Sequence, residues 1–233
     1  MRITHVLLGA ALAVIVNSPA EAAPVTFTKL TGITGGSPAG TAVYQADLSS
    51  VSGSIQSITI QDNSSGLGGA TGQFSGFDLD AIVLSTTNCA DATCAAGLGG
   101  LAVFDFTSGI VFTPGTQRVP TDPKLFGTGP AGNTVDDSVA TLGTFDGNST
   151  TAIPGAFGFI SLGDNGVISF NLTGPVSTTG LFMYIGEVGD NGEVAASSVT
   201  VGRDPVSVPE PATFALLGLA FAGMRFARRR SPN

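Results

Sequence analysis

The sequence has no tryptophan, two tyrosines, two cysteines and a single histidine in 233 residues, and it sets only 9 basic side chains against 17 acidic ones. Each shortage removes a class of function. His5 falls in a segment read below as a signal peptide, so the exported domain would contain no histidine at all. That excludes Ser-His-Asp and Cys-His catalytic apparatus and a His-ligated zinc centre. Sugar-binding sites commonly stack the ring on Trp or Tyr, and here only Tyr44 and Tyr184 could serve. Carboxylate-only chemistry survives the elimination, but the chain is read as not an enzyme.

The two ends carry the clearest signals. Arg2 precedes an apolar run over residues 6–16, and Ala20 and Ala22 satisfy the small-x-small rule of signal peptidase. A run of about 11 residues suits a signal peptide and falls short of the roughly 20 that a membrane helix requires. Residues 1–22 are therefore expected to direct export through the Sec translocon and to be removed. At the other end, Pro209-Glu210-Pro211 is followed by 13 apolar or small residues, Ala212 to Met224, and then by Arg225, Arg228, Arg229 and Arg230. As a helix the apolar stretch covers about 20 Å, less than the roughly 30 Å hydrocarbon core. The prolines prevent it from extending backwards. Extension through Phe226 and Ala227 gives a marginal span, with the arginines on the cytoplasmic side.

The order Pro-Glu-Pro, apolar segment, arginine cluster resembles the PEP-CTERM sorting signal of Gram-negative bacteria over residues 208–233. The resemblance implies export, transient insertion in the inner membrane through the C-terminal helix, recognition by an exosortase, and delivery to the cell surface or extracellular matrix. Whether the tail is cut near Pro209–Pro211 or kept as an anchor stays open from sequence.

Between the ends, residues 23–207 are long enough for one sizeable domain. Removing Glu21, Glu210, Arg2 and the four tail arginines leaves 15 acids and 4 bases, a net charge of −11 against −8 for the whole chain. Such a surface repels nucleic acid and anionic lipid. Short runs rich in Val, Ile, Phe and Thr, separated by Gly, Asn, Asp and Pro, predict strands over 25–30, 41–48, 54–60, 79–84, 101–106, 110–113, 157–162, 167–172, 181–186 and 194–201. No stretch between them keeps a 3.6-residue period. The expected fold is all-β: a single antiparallel β-sandwich or jelly-roll-like domain, flanked by the signal helix and the C-terminal hydrophobic helix. Residues 114–137, with four prolines and four glycines, read as a surface loop.

Several motifs invite chemistry. Gly-Asp-Asn-Gly occurs at 163–166 and again at 189–192, and Asn-Gly favours two-residue hairpin turns, so each copy is expected to join adjacent strands. Neither has the spacing of an EF-hand loop. Asp78 and Asp80 sit at i and i+2 of a predicted strand, on one face with Ile82 and Leu84. The first reading is structural, with the carboxylates bonding backbone groups at the strand's start. The functional alternative is a Ca2+ site or an acid/base pair. Asp136-Asp137 and the Glu187, Asp190, Glu193 group read as solvated. The glycine-rich residues 66–72 lack phosphate-binding spacing and read as a flexible loop. Cys89 and Cys94, an even number in an exported chain, predict a disulfide that staples the loop after the 79–84 strand. Two functions emerge. One is a non-enzymatic surface or extracellular-matrix protein associated with exopolysaccharide or biofilm. The other is a Ca2+-assisted glycan-binding jelly-roll module.

Overall fold

The computed structural model describes residues 23–35, 40–147, 158–193 and 199–203. The signal-peptide and sorting-tail expectations, residues 1–22 and 208–233, lie outside the described residues. Ten strands form: β1 (Ala23–Val25), β2 (Thr28–Lys29), β3 (Thr41–Asp47), β4 (Ser54–Gln61), β5 (Asp78–Ser85), β6 (Ile110–Thr113), β7 (Ile160–Ser161), β8 (Val167–Ser177), β9 (Phe182–Val188) and β10 (Val199–Arg203). They make two five-stranded sheets, β1-β10-β4-β8-β6 and β2-β3-β9-β5-β7, with every neighbour antiparallel. This mostly β architecture is that of a sandwich. From β4 onward each strand lies in the opposite sheet from the one before it.

Alternating patterns explain which side chains meet. Ile55, Ile58 and Ile60 of β4 and Ile168 and Phe170 of β8 come from the first sheet. They join Leu79, Ile82 and Leu84 of β5 and Met183 and Ile185 of β9 from the second in one buried core. The second sheet is also covered on its other face. There Val43, Ala81, Val83 and Tyr184 pack against Cys89, Ala92, Ala95 and Phe145. That double covering is why all eight residues of β5 are buried. It also corrects the expected alternation. The pairing with β9 shifts register between Leu79 and Ile82, so Ile82 and Leu84 join Leu79 in the inter-sheet core and do not continue a face begun by Asp78 and Asp80.

The outer cover is built on the loop after β5. A one-turn helix, α1 (Ala92–Ala96), starts at Asp91, whose side chain accepts the Cys94 N–H at 2.8 Å. The Cys89–Cys94 disulfide closes the loop, with the two Cα atoms 5.5 Å apart. Beneath it, the fully buried Tyr184 hydroxyl accepts from the Cys89 N–H at 2.9 Å and from Gln45 Nε2 at 2.8 Å, and donates to the Thr87 carbonyl at 2.6 Å. On chain entropy alone, breaking so short a loop costs about 2 kcal/mol. Thermal unfolding with and without reductant should therefore show a fall of roughly 5 °C in the midpoint.

Three further expectations are revised. Residues 101–106 make one isolated bridge, Phe104 with Leu172, and not a strand. Residues 114–137 are irregular but not wholly superficial, since Leu125 and Thr128 are buried and the Phe126 ring lies 4.5 Å from that of Phe159. Leu125 belongs to the main core, and Val135 is partly buried against it. Most consequentially, neither Gly-Asp-Asn-Gly turn makes a hairpin. β7 pairs with β5 and β8 with β4 and β6, while β9 and β10 lie in different sheets. The first turn is instead a corner between the sheets, with Asn165 at φ 64° and Asp164 bridged to Thr116. Positive φ at an Asn permits a corner as readily as a hairpin.

A buried carboxylate cluster as the candidate functional site

At one end of the sandwich the acidic residues turn inward. Asp78 opens β5 opposite Ser161 of β7, and Glu187 stands opposite Leu79 near the end of β9. Glu193 follows in the turn after β9. All three are buried, and the Glu193 side chain has no exposure to solvent. The 66–70 loop packs over this turn. A Cβ on Gly68 would fall 2.3 Å from the Gly192 carbonyl, and one on Gly69 would fall 1.5 Å from Glu193 Oε1. The segment expected to be a flexible loop is thus a fitted lid, and its glycines are needed for close approach. Gly69 also has φ +64°. Replacing it with Ala combines backbone strain with a collision, and should destabilise by about 2–4 kcal/mol in a denaturant titration.

Arg118 fastens the lid. Its Nε reaches Asp164 Oδ2 at 3.0 Å and its Nη2 reaches Oδ1 at 2.6 Å, a bidentate pair, and its Nη1 donates to the Gly68 and Ala70 carbonyls. The same Nη1 lies 3.9 Å from Glu193 Oε1, too far for a good hydrogen bond. Its charge is already engaged by Asp164. Asp62, also buried, is fully occupied: it accepts from the Phe77 N–H at 2.9 Å, the Asn165 N–H at 3.0 Å, and the Ser64 N–H and hydroxyl.

The remaining carboxyls are not so well served. Asp78 Oδ1, Glu187 Oε1, both Glu193 oxygens and Ser161 Oγ are buried without a hydrogen-bond partner, although Glu187 Oε2 accepts the Asp190 N–H at 3.0 Å. Burial, before any other cause, raises the affinity of these acids for protons. Glu187 is pushed up to about 7 and Glu193, with Asp78 and Glu187 as further causes, to about 10. Asp78 is raised well above the usual carboxylate range, again first by burial. The two glutamates also act on each other, Glu187 holding Glu193 higher and Glu193 holding Glu187 lower than burial alone would. Tyr44, half-buried, is pushed up to about 12 by its own burial and by Glu187, Asp190 and Glu193.

Asp80 belongs elsewhere. It accepts the Thr41 hydroxyl at 2.6 Å and lies close to Gly147 and Gly186, whose missing Cβ atoms make room for it. Burial raises it to about 7, with Asp146 as a smaller contributor. The i, i+2 pair singled out in sequence is therefore split between two environments. Asp78 gathers with Glu187 and Glu193 instead, two residues that read as solvated. No local signal marked them, because the sheet pairing and the 66–70 lid that bury them come from far along the chain. Asp136, in the pair Asp136-Asp137, does read as a loop acid: it accepts from the Ser138 N–H and hydroxyl. Among the described residues no three His, Cys, Asp or Glu side chains form a group that could hold a metal ion, and no helix is long and apolar enough to cross a membrane.

Comparison with known proteins bears on the tail and not on this cluster. No curated protein and no solved structure matches the chain. The family model of the PEP-CTERM protein-sorting motif matches residues 207–231, which include Pro209, Glu210, Pro211 and the four arginines. The chain thus carries a PEP-CTERM protein-sorting motif, the mark of an exported protein that an exosortase processes and that is sorted to the cell surface.

Proposed function

We propose that the β domain is a non-enzymatic component of the cell surface or extracellular matrix, held among exopolysaccharide in a biofilm-like layer after an exosortase releases it from its inner-membrane intermediate. The observation that carries this reading is the sorting motif at residues 207–231. Three features support it. The net charge of −11 over residues 23–207 favours a hydrated exterior. The strand-by-strand alternation between sheets is that of a jelly-roll-like wrap, a common scaffold for surface proteins. The carboxyl groups with the most altered chemistry are sealed under the 66–70 lid, where a polymer substrate does not reach them. A glycan-binding role would have little of its usual platform, since Tyr184 is fully buried and bonded on three sides and Tyr44 is partly buried against the core.

Intact-mass analysis of the protein from envelope, matrix and medium fractions of its host tests the reading. A chain that ends near Val208–Pro211, and that moves from matrix to medium when exopolysaccharide synthesis is blocked, is the expected result. A chain still ending in Arg225 to Asn233, or one whose distribution ignores the polysaccharide, would overturn it.

A further inference from the structure

We propose that the free edge of β6 takes up an extended basic segment of another protein as an added strand. The four outermost strands of the two sheets are finished differently. β1 carries Pro24, β2 is two residues long and ends on exposed Lys29, and β7 is two residues long and buried. Proline, lysine and brevity are devices that keep an edge from pairing with another chain. β6, Ile110-Val111-Phe112-Thr113, has neither proline nor charge, and its Val111 is 58% exposed. Its register shows which backbone groups are free. The Asn171 N–H donates to the Gly109 carbonyl at 2.7 Å, so in the antiparallel ladder that continues from there Val111 and Thr113 bond to Ser169 and Val167 of β8. The N–H and carbonyl groups of Ile110 and Phe112 therefore point away from β8, and no described residue bonds them.

Beside β6 stands a gap and not a covering strand. A cavity of about 280 Å³ is lined by Phe106, by Ile110 and Phe112 of β6, and by Val135 and Asp137. Its apolar side chains suit one face of an incoming strand, whose residues alternate between two faces. Charge selects the rest of the partner. Asp137 is raised above its ordinary value by burial and then by Asp136 and Asp105, so three carboxyls share one neighbourhood. Among the described residues the ion pairs are those of Lys29 with Asp190 and of Arg118 with Asp164 and Glu193, which leaves these three acids without a cation. A Lys or Arg on the incoming segment supplies it. A second copy of this chain is disfavoured, because it brings the same acids to the shared edge and residues 23–207 carry a net charge of −11. The partner is a separate protein with a stretch in which apolar and basic residues alternate, held by ladder bonds and selected by its side chains. This partnership does not depend on whether the domain is held among polysaccharide.

The test titrates a labelled peptide of alternating lysine and valine against the full chain and follows fluorescence anisotropy. Binding should weaken as salt is added. A glutamate–valine peptide, and a lysine–valine peptide with two adjacent prolines at its centre, should each bind about tenfold more weakly or worse. Hydrogen exchange reads the edge directly. The lysine–valine peptide should slow exchange at the Ile110 and Phe112 amides about tenfold and change Val111 and Thr113, already bonded to β8, far less. Ile110→Pro removes one outward donor while sparing the bonds to β8, and should weaken binding about tenfold. Asp137→Asn should weaken it about threefold. No binding at millimolar peptide, or equal binding of either control peptide, overturns the proposal. So does protection of Ile110 and Phe112 that grows with protein concentration alone, which would give the edge to a second copy. Should Ile110→Pro fail to fold, the two control peptides on the wild-type chain and Asp137→Asn decide.

Discussion

Asp62→Ala should lower stability by about 4 kcal/mol, read as a fall of roughly 10 °C in the unfolding midpoint. Few single side chains in this domain hold as much together. Asp62 leaves β4 just beyond Gln61. Its Oδ1 takes the Phe77 N–H at the entry to β5, and its Oδ2 takes the Asn165 N–H at the corner before β8. Its own N–H donates to the Gly166 carbonyl at 2.9 Å. Alanine keeps that last bond and strips the partners from the others, leaving the donors of buried Phe77 and Ser64 unpaired. Asp62→Asn is the informative comparison. Its carbonyl oxygen can still serve one side, but its NH2 is turned against donors on the other, so about half of the loss is expected. If Asp62→Ala were neutral in a denaturant titration, the corner would have to find its bonds elsewhere.

The second large effect is an inverted dependence on pH. Asp80 and Glu187 bind protons in the fold with values of about 7 and Glu193 with about 10, against 3.8 for an ordinary Asp and 4.5 for an ordinary Glu. The sign follows directly. A carboxyl raised on folding is protonated in the native state where the unfolded chain has already ionised. Its contribution is complete below the unfolded value and is lost as pH rises towards the folded one. Asp80 and Glu187 should have lost theirs by about pH 7, and Glu193 continues to lose up to about pH 10. On the acid side, Asp47 and Asp105 work in the opposite sense. Both are lowered by backbone and side-chain hydrogen bonds, and their stabilisation disappears as pH falls through the folded value. Maximum stability is therefore expected near pH 4–5, with a steady decline above it. Glu193→Gln supplies a permanently neutral side chain of the same shape. It should be more stable than wild type by about 2 kcal/mol at about pH 8 and equal to it at about pH 4. A midpoint that rises from acid to neutral pH would contradict the assignment.

Much of the architecture was readable from local pattern. The beat of Ser54 to Ile60 became β4, and the four residues Ile110–Thr113 became β6 as read. The Cys-x4-Cys loop closed as a disulfide. What local pattern could not supply was partnership. Both Asn-Gly turns were correctly located, yet their chemistry is satisfied by a hairpin or by a corner, and only the rest of the chain decides between them. The register shift in β5 is likewise a two-strand property, and it reverses the side on which Ile82 and Leu84 pack. The carboxylate cluster shows the same limit. Glu187 and Glu193, beside a turn, have the composition of a solvated tip, and they are buried because Gly68 and Gly69, more than a hundred positions earlier, fit over them. The α1 turn was missed for a different reason, since five residues are too few to show a helical period.

The alternation of strands between sheets also governs when the chain can fold. No two strands that neighbour each other in sequence and in a sheet occur after β3, so few local hairpins exist to nucleate structure. β4, in the middle of its sheet, pairs with β8 and β10, and β1 pairs only with β10. The first sheet is thus completed by the last strand to be synthesised, Val199–Arg203, a few residues ahead of the sorting motif. A chain bound for export gains from that order. The first sheet stays open until the last of the described strands is free to pair, and it closes only then.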